Sequence, residues 1–282
     1  MTETTTAYGS RPPFRPLRQA PASSGSVAGQ PVRRGPPPDV KTWVTSKGKC
    51  RKAWKLGIYG EPGVGKSTLA SLCAGMIAAD IEHSMEDLNV ERVEGIENWS
   101  DLRAWVRAQT SGIRCIDSMS LAEDWATDHV LKTKRANDGS MATTSIEDFK
   151  FKAGARFVAD EFRALLMDIE HTFRRGVSWI MIAHDRVDWV RNPDDKDYRM
   201  HQPDLLDTKD VSSRAEWVRF CDHIAFIGRD IAVSKGKAEG GTGRTIYMDG
   251  AASRTCKMRD LPEAVIAWPE GSRRLWDMLG VM

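Results

Sequence analysis

From about Lys52 onward, short apolar runs alternate with stretches whose apolar residues recur at helical spacing. Trp54–Tyr59 predicts a short buried strand running into a glycine-rich turn. Lys66–Met76 predicts a helix and Ile77–Ile81 a second strand. Trp99, Leu102, Trp105 and Val106 share one helical face. Ile113–Ile116 predicts a buried strand that ends in Asp117. Phe157, Val158, Phe162, Leu165, Leu166, Ile169 and Phe173 form the stripe of a long helix, closed by Gly176. Val177–Ala183 and His223–Ile227 predict further buried strands, Gly236–Gly243 a hairpin or mobile loop, and Arg273–Leu279 a short amphipathic helix. Apolar runs without alternation have both faces covered, so the pattern predicts an α/β fold: a mostly parallel sheet with helices on both faces. With no internal repeat and no heptads, one domain over residues 46–282 is the economical reading.

The first 45 residues lack that pattern. Residues 1–40 hold eight of the thirteen prolines, and five arginines face only Glu3 and Asp39. Such a segment cannot bury enough surface to offset its chain entropy, which predicts a disordered basic tail. It could touch nucleic acid or a partner, or act only as a solubilising leader. The whole chain, at +2, predicts nothing strong about nucleic acid. Five scattered cysteines (Cys50, Cys73, Cys115, Cys221, Cys256) fit neither a disulfide framework nor a zinc site and point to a reducing cytosol. No apolar run approaches the roughly 20 residues that span a bilayer, and the N-terminus has no signal-like apolar stretch, so a cytoplasmic protein off the membrane is expected.

One motif carries chemistry clearly. Gly60-Glu61-Pro62-Gly63-Val64-Gly65-Lys66-Ser67-Thr68 matches G-x-x-x-x-G-K-[ST], between a predicted strand and a predicted helix. About 0.01 accidental matches are expected in a chain of this length. Glycines let backbone N–H groups curl around phosphate oxygens, and the helix N-terminus adds partial positive charge. Lys66 can reach the β- and γ-phosphates of ATP, and Ser67 can ligate Mg²⁺. Mg²⁺ also needs a carboxylate at the end of a neighbouring strand, where Asp117 stands. A GTPase is disfavoured: no Asn-Lys-x-Asp occurs, and Ser120 stands where a glycine would follow Asp117. A small-molecule kinase would carry an arginine-rich lid, and residues 132–156 are lysine-rich instead.

The remaining class, motor-like or recombinase-like ATPases, is where a resemblance enters. Ala79-Asp80-Ile81-Glu82-His83-Ser84 resembles a segment of RecA-like P-loop ATPases, and implies that Glu82 polarises the attacking water. Asp117-Ser118-Met119-Ser120 resembles the end of their magnesium-binding strand. Trp179-Ile-Met-Ile-Ala-His184-Asp185 is similar to the strand whose last polar residue senses the γ-phosphate, with His184 replacing the usual glutamine. Arg254-Thr-Cys-Lys257-Met-Arg259, placed after the last predicted strand, resembles a cationic pair inserted into a neighbour's site, so Lys257 and Arg259 would act across a ring or filament. Each has a plainer reading: Glu82 a solvated acid, His184 a strand-end histidine, Lys257 and Arg259 an exposed basic strand end. The resemblance covers roughly residues 52–265, and the overall layout is similar to phage-encoded ATP-binding proteins of the RecA-like, single-strand annealing type. It implies a RecA-like core, a DNA-stimulated ATPase, single-stranded DNA as partner, and a single-strand binding protein as a further one. Two loops would meet the strand. Residues 132–156 offer Lys132, Lys134, Arg135, Lys150, Lys152 and Arg156, with Phe149 and Phe151 to stack bases. The loop after His184 offers Arg186, Trp189, Arg191, Lys196, Tyr198 and Arg199, but also Asp185, Asp188, Asp194, Asp195 and Asp197. A P-loop kinase, a helicase-type ATPase and a slowly hydrolysing ATP-gated interaction protein are the competing readings.

Overall fold

The computed structural model describes residue 47 and residues 53–135, 144–234 and 237–281. The expected tail over 1–45, and Lys235–Gly236, lie outside the described residues, as does 136–143 of the first expected loop. In chain order the elements are β1 (Lys55–Gly60), α1 (Lys66–Ser71), β2 (Met76–Asp80), β3 (Glu91–Arg92), α2 (Trp99–Ala108), β4 (Ile113–Asp117) and α3 (Met119–Thr133). Two 3₁₀ turns, Ile146–Asp148 and Lys150–Lys152, lead to α4 (Ala153–Phe173) and β5 (Ser178–Val190). There follow β6 (Tyr198–Pro203), α5 (Ser213–Phe220), β7 (His223–Ser234), β8 (Lys237–Tyr247), β9 (Val265–Ala267) and α6 (Arg274–Met278).

The strands form a nine-stranded, mostly parallel sheet in the order β3-β2-β4-β5-β1-β7-β8-β9, with β6 paired to β5 off this path. β8 and β9 join antiparallel, and β6 pairs antiparallel with the far half of β5. Alternation along β1 sends Tyr59 to one face and Leu56 and Ile58 to the other. The first face packs under α2, α3, α4 and α5 through Leu102, Ala126, Phe162 and Trp217. The second packs under α1 and α6 through Leu69, Ala70, Leu275 and Trp276. The expected α/β layering is therefore present, and no helix among the described residues is long and apolar enough to cross a membrane.

Lys55 is charged yet 8% exposed in β1. Its ammonium meets Glu170 at 2.8 Å and lies over the Phe173 and Phe220 rings, so the charge is paired and its stem covers apolar surface. Gly57 is glycine for a packing reason: an added Cβ would lie 2.4 Å from the ring of the fully buried Trp217. Gly57→Ala is expected to lower stability by about 1–3 kcal/mol, the usual cost of overpacking a core. A urea midpoint equal to that of the unchanged protein would show that the indole can yield.

Several boundaries differ from the sequence reading. α1 stops at Ser71 instead of Met76, because the chain turns through Gly75 at φ +69° and β2 begins at Met76. β5 does not stop at Ala183: beyond it the strand is no longer fully buried and continues as a two-stranded ribbon with β6. The stretch after His184 is thus a β-hairpin with a short tip, not an irregular loop. β7 likewise runs on to Ser234 and folds back as β8, the hairpin outcome for the glycine-rich segment. Phe149 and Phe151, paired as base-stackers in the sequence reading, part ways. Phe149 is buried edge-on against Phe157, while Phe151 is 89% exposed.

Candidate functional site

β1 delivers the chain to Gly60, where a side chain would strike the Ile227 carbonyl at 2.5 Å. Gly63 (φ +71°) and Gly65 (φ +102°) take left-handed conformations that favour glycine, and α1 starts at Lys66. Lys66 is 8% exposed, and its ammonium donates to the Gly60 and Glu61 carbonyls, at 2.9 and 3.1 Å. Burial lowers its pKa, partly offset by the charges of Asp117, Glu82 and Asp185. A buried cation resting on carbonyls, beside a loop of left-handed glycines at a helix start, fits the phosphates of a nucleotide.

Ser67 Oγ donates to Asp117 Oδ2 at 2.6 Å, and Ser84 Oγ donates to the same oxygen at 2.7 Å. Asp80 positions Ser84 by accepting from the Ser84 and Met85 amides. Asp117 is 1% exposed; burial raises its pKa, and the hydrogen bonds from Ser67 and Ser84 hold the rise down. The peptide to Ser118 is cis. Among the described residues no group of three or more His, Cys, Asp or Glu gathers as a metal cage. One carboxylate beside a hydroxyl suits Mg²⁺, which keeps several waters and takes the rest of its oxygens from phosphates.

Glu82 reaches this site from a strand that does not adjoin the loop. β2 is not the strand beside the loop, since β4 and β5 stand between it and β1. The turn after β2 is instead pinned to β4: the Ile81 and Glu82 amides donate to the Asp117 carbonyl at 2.9 and 3.1 Å. β5, the strand between β4 and β1, holds His184 in register with Gly60. Glu82 Oε1 accepts from Ser118 Oγ and lies 2.8 Å from His184 Nε2. Burial pushes the Glu82 pKa up, but the hydrogen bonds from His184 and Ser118, with the charges of His184 and Lys66, bring it net below its ordinary value. The hydrogen bond to Glu82 raises His184, against burial. Ser120 Oγ accepts from the His184 amide and donates to the Asp204 carbonyl, tying the strand to the segment after β6.

A cleft of about 570 Å³ opens beside Glu82 and His184, with Glu123, Asp124, Asp204 and Asp207 in its wall. Glu123 is pushed up to about 7 by burial. The acidity of this wall makes it a poor path for a phosphate backbone.

The Glu82–His184 pair predicts a pH signature. A raised histidine contributes stability that is complete below its ordinary value near 6.5 and is lost as pH rises through its folded value. A lowered glutamate contributes above its ordinary value near 4.5 and loses that as pH falls through its folded value. In an NMR titration, the His184 midpoint is expected above 6.5 and to drop back towards it in Glu82→Gln. A midpoint unmoved by that change would mean that the two side chains are not coupled.

The structure thus brings Gly60–Thr68, Glu82, Asp117 and His184 together. It does not bring Lys257 and Arg259 to them. Lys257 bridges Ile224 at the start of β7, the end of the strand away from the loop, and β9 follows it, so the pair does not come after the last strand. Lys257 Nζ donates to the carbonyls of Val218, Arg219 and Cys221, which ends α5. Arg259 lies 3.4 Å from Asp222 with about half its side chain exposed. The cations found at the loop are two that sequence reading missed. Arg229 on β7 donates to the Gly63 carbonyl at 2.9 Å, and Arg244 on β8 to the Val64 carbonyl at 3.3 Å. Neither belongs to a motif; the register of β7 and β8 brings them to the loop.

No curated protein matches this chain. A family model described as an AAA domain matches residues 52–259, which contain the loop, Glu82, Asp117 and His184. The matched span is well over half of the sequence, and the chain belongs to this AAA domain family of P-loop ATPases.

Proposed function

We propose that the chain binds ATP with Mg²⁺ on Gly60–Thr68, Ser67 and Asp117, and hydrolyses it with Glu82 as the residue that orients the attacking water. Bound Mg²⁺ would neutralise phosphate charge. The loop amides and Lys66 hold the phosphates, and Ser67 and Asp117 supply the metal's protein oxygens. Glu82 and His184 line the far side of the same strand ends. The observation that carries the reading is Glu82 itself: an ionised carboxylate fixed by Ser118 and His184 and close enough to Lys66 to feel its charge. Phosphoryl transfer asks for placement more than base strength, so a glutamate below its ordinary pKa suits a water-orienting role. Purified protein should release phosphate from ATP only with Mg²⁺ present. Transfer to a small acceptor in place of water would favour the kinase reading.

A second reading, action on single-stranded DNA as in RecA-like recombination or annealing proteins, is favoured by the ribbon that leaves His184. Trp189 on it is 66% exposed, and the Arg199 guanidinium lies 5.1 Å from its ring centre. An exposed indole with a stacked arginine is a sequence-tolerant base platform. Its carboxylate Asp188 is already paired, with Arg186 and Arg214. The ring or filament that goes with this reading would use Arg259, because Lys257 is occupied at α5. Phosphate release with and without single-stranded DNA tests the reading. Stimulation that is absent in Trp189→Ala supports it, and no stimulation of the unchanged protein favours an ATP-gated interaction protein.

A further inference from the structure

Two arginines stand against the phosphate loop. β1 ends at Gly60 opposite Ile227, but β7 continues, and its Arg229 stands beside the phosphate loop. β8 returns alongside and places Arg244 directly across from Arg229 in the antiparallel register. Like charges directly opposite each other in a sheet are destabilising. Here no carboxylate among the described residues forms a salt bridge with either. Their polar contacts are the loop carbonyls of Gly63 and Val64. Arg244 is also steadied by the Trp268 ring, 4.6 Å away. Its guanidinium fills the space that a side chain on Gly65 would take, with an added Cβ meeting Nη1 at 2.5 Å.

Carbonyl oxygens are weak substitutes for anions. A guanidinium fork gains most from a pair of phosphate oxygens, and these two forks are already gathered on the outer rim of a phosphate-binding loop. We propose that Arg229 and Arg244 are the chain's own phosphate-contacting cations, supplied from the β7–β8 hairpin to the loop of the same molecule. The inference rests on the loop being the ATP site. It assigns in cis the charge that the resemblance sought from a neighbour through Lys257 and Arg259. Lys66 serves the loop from inside, and the two arginines serve it from the rim.

The test is equilibrium binding of ATP and adenosine, with Mg²⁺, to the full chain and to Arg229→Gln, Arg244→Gln, the double change and Lys66→Ala, with the melting temperature of each nucleotide-free protein. Each single change is expected to weaken ATP about tenfold, the usual loss for a charge-assisted hydrogen bond. Adenosine binding and melting should stay as in the unchanged protein. Unchanged ATP affinity with a lowered melting temperature would overturn the proposal, because the arginines would then only brace the loop. If a glutamine variant does not fold, Arg229→Lys and Arg244→Lys keep the charge and remove the fork. ATP affinity falling in them by less than tenfold supports the proposal, and unchanged affinity overturns it. Mixing Lys66→Ala with the double variant separates cis from trans: tight ATP sites that reappear on mixing would overturn the cis assignment. If Lys66→Ala itself binds ATP as the unchanged protein does, it is the nucleotide reading of the loop that fails.

Discussion

Lys66→Ala is expected to cost the protein its ATP turnover, with a fall of about 10²–10³-fold from the loss of one preorganised charge at the phosphates. The ammonium is buried and donates to the Gly60 and Glu61 carbonyls, and among the described residues no carboxylate forms a salt bridge with it. The fold should therefore tolerate the change, and the loss should fall on the nucleotide. Burial already disfavours the charged form of Lys66, whereas an arriving polyphosphate favours it, so the site is better matched to the bound state than to the empty one. Affinity and turnover should drop together, read by nucleotide binding and phosphate release on the same sample. Turnover equal to that of the unchanged protein, with a normal melting curve, would place the chemistry away from the loop.

Glu82→Gln is expected to separate binding from chemistry. The amide keeps the size of the carboxylate and can still meet Ser118, but it loses the charge shared with His184. ATP affinity should stay within a few-fold, while hydrolysis falls by about 10²–10⁴-fold, the range attached to a group that orients or deprotonates a nucleophile. A glutamine variant with full turnover would demote Glu82 to a solvated acid and move the water-orienting role elsewhere in the acid-walled cleft.

The loop was legible in the sequence because its chemistry is local. Gly60, Gly63, Gly65, Lys66 and Ser67 do their work within nine residues, and the flanking strand and helix carry apolar patterns of their own. Asp117 was legible for a similar reason, since a carboxylate closes a run of buried residues. His184 and Glu82 were visible only as candidates. What joins them is the strand order, with β5 inserted between β1 and β4, and periodicity does not encode order. Lys257 and Arg259 show the opposite failure. Their spacing resembles a catalytic pair, yet register sets Lys257 at the end of α5, where three carbonyls occupy its ammonium. Arg229 and Arg244 carried no local signal, because they meet the loop across the sheet at sequence separations of more than 160 residues. The long ribbon of β5 and β6 was misread because most of its residues are half-buried or exposed, unlike the buried run that precedes it.

The central claim is that this loop binds ATP and that Glu82 turns binding into hydrolysis. It is tested most directly by identifying the nucleotide that stays on the protein. Unchanged protein and Glu82→Gln are each incubated with labelled ATP and Mg²⁺, freed of unbound nucleotide, and the bound label is separated into ATP and ADP. ADP is expected on the unchanged protein and intact ATP on Glu82→Gln. ADP on both, or no bound label on the unchanged protein, would contradict that claim.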